Sequence, residues 1–139
     1  MRRNREEDFR AGLEILEPFL AELDFALKVL PATRAAEGTC YSALFVWGNH
    51  AVTLTHLFGL DSVTYSVGMM SVEHTRYLDA LGVREGAGFP VTADDPLAGY
   101  HALLGDLESR LMPFFEEPDR EFMDIAAIWG QRRRPAATG

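Results

Sequence analysis

Apolar residues recur along this chain at several spacings, and each spacing predicts a different element. In "EEDFRAGLEILEPFLAELD" (6–24), Phe9, Leu13, Leu16 and Leu20 are four, three and four apart, which marks one face of an α-helix. The opposite face is acidic, and Pro18 inside the pattern is expected to kink the helix or start a second turn. "FALKVLPAT" (25–33) predicts a strand, with Pro31 marking an edge position or its end, and "RAAEG" reads as a turn.

The spacing then drops to two. Gly48-Asn49 separates two alternating runs and signals a two-residue hairpin, with Gly first favouring a type II′ turn. That turn sets the register: Trp47 faces His50, Phe45 faces Val52, Ala43 faces Leu54 and Tyr41 faces His56, all on one side of the sheet. Ser42, Leu44, Val46, Ala51, Thr53 and Thr55 fall on the other side. A second turn at "GLDS" would pair Phe58 with Val63, His56 with Tyr65, Leu54 with Val67 and Val52 with Met69.

Helical spacing returns in the second half. "SVEHTRYLDALG" predicts a short helix capped by Ser71 and closed by Gly82, with Glu73 and His74 solvated in its first turn. "REGAGFPVTADD" reads as a loop. Asp95-Pro96 then opens a helix with Leu97, Tyr100, Leu104, Leu107 and Leu111 inward, and Pro118 opens another with Phe122, Ile125, Ile128 and Trp129 inward. The expected fold is α+β: a four-stranded antiparallel meander with N- and C-terminal helices packed on one face. A single domain is expected over residues 6–131, with a basic N-terminal tail at 1–5 and a basic, disordered C-terminal tail at 132–139.

Charge narrows the function. All 21 acidic residues lie between Glu6 and Asp124, while Arg2, Arg3, Arg5, Arg132, Arg133 and Arg134 sit at the ends. Seven basic residues against 21 acidic ones leave the body between at −14. Such a body repels phosphate backbones, so no nucleic acid is expected, and a basic protein is the natural counterpart. No apolar run approaches the length of about 20 residues that crosses a bilayer, and "MRRNREEDFR" lacks the apolar core of a secretion signal, so a cytoplasmic location without membrane contact is expected.

Candidate chemistry centres on His56, which the predicted registers place between Tyr41 and Tyr65. Tyr100 or His101 from a helix would complete a pocket between sheet and helices, in which a histidine could move a proton near neutral pH. His50 and His56 cannot share a metal ion, since six strand residues span about 20 Å. Cys40 is the single cysteine, so an internal disulfide is excluded, and strand alternation points it away from His56. The adjacent carboxylates Asp94-Asp95 and Glu116-Glu117 precede prolines at helix starts and are read as caps. No phosphate loop, nucleophile elbow, HExxH or CxxC motif occurs, and no metal or cofactor is expected. The hydroxyl-rich sheet face of Ser42, Thr53, Thr55, Thr64 and Ser66, with Leu44 adding apolar area, is the candidate interaction face for a partner or for homo-oligomerisation.

The helix, meander and helices of this acidic, motif-poor chain broadly resemble small bacterial immunity or accessory proteins that neutralise a partner. The leading expectation is a non-catalytic protein-binding domain with an acidic surface. The alternative is a small-molecule-binding or enzymatic domain built around His56.

Overall fold

A computed structural model describes residues 5–36, 38–91, 94–116 and 119–132. The chain runs α1 (Arg5–Glu22), β1 (Ala26–Val29), β2 (Thr33–Ala35), β3 (Gly38–Trp47), β4 (His50–His56), β5 (Leu60–Val67) and β6 (Met70–Glu73). It continues through α2 (His74–Leu81), α3 (Ala98–Ser109), α4 (Met112–Glu116), α5 (Asp119–Trp129) and β7 (Gln131–Arg132).

The fold is α+β, with an antiparallel sheet and helices at both ends. Six strands lie side by side in the order β1-β3-β4-β5-β6-β7, and β2 pairs with β3 off that path, so the four-strand expectation is too small. The chain contributes β1 and β2 to the edge around Pro31. Five residues from Val29 to Thr33 oppose only four from Ala43 to Cys40, so the edge carries one extra residue where proline cannot donate. β6 was hidden behind the expected helix cap at Ser71. Gly68, at φ +59°, turns the chain so that Val67 pairs with Met70, and Ser71 becomes a strand residue.

The first hairpin has the expected register, from Trp47↔His50 to Tyr41↔His56, and Gly48 carries the positive φ (+58°) that a type II′ turn needs at its first position. The second hairpin differs. Tyr65 faces Val52 and Val63 faces Leu54, while His56 faces Leu60 across an irregularity after Thr55. The turn is Leu57-Phe58-Gly59, and "GLDS" lies largely within β5. A shift of four residues leaves every side chain on its original face, so alternation alone could not distinguish the two registers.

The sheet face bearing Ala43, Phe45, Val52, Leu54, Val63, Tyr65, Val67 and Val72 shares one core with Phe9, Leu13, Leu16 and Leu20 of α1 and Tyr100, Leu103 and Leu107 of α3. α1 continues through Pro18, whose ring lies on its exposed side. Gly12 lets the two helices touch: a Cβ there would meet the Tyr100 ring at 2.4 Å. Leu103, not Leu104, joins Leu107 as a fully buried leucine of α3, and Leu104 is half-buried. In α5 the buried residues are Phe122 and Ala126, whereas Ile128 is 82% exposed and Trp129 is exposed. Ile128 is six residues past Phe122, about 240° around the helix, so both cannot face one core. Phe114 of α4 fills the space, in edge contact with Tyr65, Tyr77 and Phe122.

Among the described residues, no helix is long and apolar enough to cross a membrane.

Candidate functional site

His56 ends β4 with its side chain directed into the core, where it is fully enclosed. Strand pairing places Tyr41 beside it, with ring centroids 6.3 Å apart, and Phe9 of α1 packs on both rings at 5.6 Å. From α3, Tyr100 stacks on the imidazole, its hydroxyl 2.6 Å from His56 Nδ1. Three of the five candidate pocket residues therefore meet. His56 Nε2 is buried and, among the described residues, has no hydrogen-bond partner. Burial lowers the His56 pKa from its ordinary value against the opposing pull of Asp8, and burial raises that of the Tyr100 hydroxyl.

Tyr65 belongs to a second cluster. Its hydroxyl lies 2.7 Å from Nδ1 of His74, and His74 Nε2 lies 3.0 Å from Oδ2 of Asp106 on α3. Asp106 also accepts the backbone N–H groups of Gly88 at 2.7 Å and Phe89 at 2.9 Å. A neutral histidine with its proton on Nε2 satisfies the chain: Tyr65 donates to Nδ1 and Nε2 donates to the carboxylate. Burial lowers the His74 pKa although Asp106 opposes it, and burial, then the Asp106 charge, pushes Tyr65 well up. The expectation of a solvated His74 is thus corrected: the residue is fully buried. Glu73, with its carboxylate accepting Thr75 N–H at 3.0 Å, caps α2 in place of Ser71. Gly82 closes that helix as expected, at φ +73°.

His101, the remaining candidate, is exposed on α3. Asp95 accepts Leu97 N–H at 2.9 Å, a capping role one turn before α3. The Glu117-Pro118 part of the other predicted cap lies outside the described residues. Among the described residues, no group of three or more metal-ligating side chains is assembled.

The candidate interaction face is assembled by the ladders. Ser42 pairs with Thr55, Leu44 with Thr53 and Thr53 with Thr64, while Ser66 lies across from Ala51. Thr55 and Ser62 hydroxyls hydrogen-bond to each other. These residues are half-buried except Ala51 and Ser66, which are buried. At one margin, Thr64, Ser71, Glu73, Arg76, Trp129 and Gly130 line a concavity of about 360 Å³.

Two further concavities open elsewhere. One of about 220 Å³ lies beside the β4–β5 turn, between Phe58, Asp61, Val91 and Asp95. The other, of about 260 Å³, is walled by Phe25, Trp47, Phe114 and Phe115 and rimmed by Glu22 and Asp24. Neither His56 nor the tyrosines paired with it line any of the three. Comparison with protein families, curated proteins and solved structures found no match.

Proposed function

We propose that this protein is a non-catalytic binding domain, immunity- or accessory-like in role, whose acidic surface captures a basic protein partner. The observation that carries this reading is the segregation of its polar groups. His56, His74, Tyr65, Tyr100 and Asp106, the groups best suited to proton transfer, are enclosed in the core. Most other carboxylates lie outside: among the described residues, fourteen exposed Asp and Glu side chains stand against six exposed Lys and Arg. Glu7, Glu14, Glu17 and Glu22 project from α1 alone. Charge of one sign spread over a surface steers an oppositely charged protein and speeds its association, with strong dependence on salt.

The test is capture of partners by the tagged full-length protein from its host's lysate, at about 0.05 M and 0.5 M salt, read by mass spectrometry. A stoichiometric basic partner held at low salt and released at high salt supports the reading; no partner at either salt contradicts it.

A second reading, a ligand pocket at His56, has one observation in its favour, the unpartnered buried Nε2. A small polar ligand that reached this nitrogen would shift the His56 ring resonances on titration. Ring signals unmoved by a metabolite library would remove this reading.

A further inference from the structure

The aromatic concavity at the end of α1 has a composition that the fold does not require. α1 ends in a Schellman arrangement: Asp24 N–H reaches Ala21 O at 3.0 Å and Phe25 N–H reaches Leu20 O at 3.0 Å. The residue at its left-handed position, φ +69°, is Asp24, where glycine is the usual choice. An aspartate is disfavoured there twice, by backbone conformation and by placing negative charge at the negative end of a helix dipole. Glu22 adds a second carboxylate to the same turn, which has no basic residue, and neither acid forms an ion pair among the described residues.

Behind these acids stands an aromatic wall. Phe25 lies 6.3 Å from Trp47, and 5.5 Å from Phe115 in edge contact. Trp47 is held from behind by His50, stacked at 5.1 Å, yet remains 48% exposed. The helix end and two carboxylates present negative potential to a cleft walled by these aromatic rings. At about 260 Å³ the cleft is smaller than the range typical of drug-sized ligands and suits one long side chain.

We propose that this cleft receives an arginine side chain of the basic partner, deepening the function proposed above and resting on it. The planar guanidinium lies on the Trp47 indole and directs its N–H groups at Asp24 and Glu22. Arginine is favoured over lysine because its flat, weakly hydrated head can both stack and donate to two acids.

The test uses the full-length protein and the blocked peptide acetyl-Gly-Arg-Gly-amide, with its citrulline counterpart as the neutral control. The Trp47 indole N–H resonance reports binding, and that of Trp129, outside the cleft, serves as reference. The expected result is a saturable shift of Trp47 with the arginine peptide alone. In the Glu22→Gln/Asp24→Asn double variant, which keeps the fold and the reporter, affinity falls about three- to tenfold. Absence of a saturable shift, an equal response to citrulline, or unchanged affinity in the double variant would overturn the proposal. Binding that emerges only when Arg132, Arg133 and Arg134 are replaced by alanine would overturn it too, by assigning the cleft to the chain's own basic end. If a salt-sensitive partner is retained equally by the double variant, the cleft assignment fails while the binding function stands. If the peptide binds but no basic partner is captured, the function fails and the cleft's cation chemistry survives.

Discussion

Asp106→Asn removes one charge from the core and changes almost no volume, so its effect reports chiefly the hydrogen bonds that the carboxylate accepts, beside a longer ion pair to Arg110 Nε at 4.0 Å. Oδ1 serves Gly88 N–H at 2.7 Å, and Oδ2 serves both Phe89 N–H at 2.9 Å and His74 Nε2 at 3.0 Å. In either orientation, the asparagine NH₂ must face at least one N–H donor. One charge-assisted bond is then lost, worth about 1.5–3 kcal/mol, and those that remain become neutral and weaker. The expected cost is about 2–4 kcal/mol, a large part of the roughly 5–15 kcal/mol that holds a domain together. For a chain of this length, it corresponds to a fall in Tm of roughly 6–15 °C. Urea and thermal unfolding at pH 7.5 measure it, and amide exchange should quicken at Gly88 and Phe89 first. A variant within about 0.5 kcal/mol of the parent, with both amides still protected, would show that Asp106 does not anchor this loop.

Other perturbations have different signs. Both buried histidines have lowered pKa values, so the unfolded chain binds protons that the folded one refuses. Stability should therefore be flat above about pH 6.5 and fall below it, by up to about 1.4 kcal/mol per pH unit for each histidine; urea midpoints that hold or rise from pH 7.5 to 5.5 would contradict this. Gly12→Ala, usually favourable in a helix by about 1 kcal/mol, should instead destabilise by about 1–3 kcal/mol because its methyl meets the Tyr100 ring at 2.4 Å; a raised Tm would show that Tyr100 yields freely. Asp24→Gly should raise stability by about 0.5–1.5 kcal/mol, relieving the left-handed backbone and the charge at the helix end, while weakening arginine-peptide binding; thermal unfolding beside the indole titration checks both signs.

The sequence disclosed structure where local chemistry was decisive and hid it where only periodicity spoke. Gly48-Asn49 admits one short turn, so the contacts of Trp47 with His50 and Tyr41 with His56 could be read from the residues. No comparable signal marks Leu57-Phe58-Gly59, and a period of two cannot detect a shift of four, so periodicity alone pairs Tyr65 with His56 whereas it serves His74. The burial of His74 is masked in the sequence by its polar neighbours Glu73 and Thr75. Its phase held the clue: Met70, Val72 and His74 alternate inward as β6 runs into α2, while Glu73 turns out to cap the helix. Asp106 carried a similar sign, an acid between Leu103 and Leu107 on the buried stripe of α3. The aromatic cleft had none, since Phe25, Trp47 and Phe115 are far apart in sequence and only the packing of α1 and α4 at the hairpin end joins them.

The most direct test of the central claim is quantitative capture from host lysate at about 0.05 M salt, comparing the full-length protein with its Glu7→Lys/Glu14→Lys/Glu17→Lys variant. All three side chains are exposed on α1, so the fold should survive, as circular dichroism would check. The account predicts that a basic partner retained by the parent is largely lost from the variant. Equal retention of that partner by both proteins would contradict an acidic binding surface on α1.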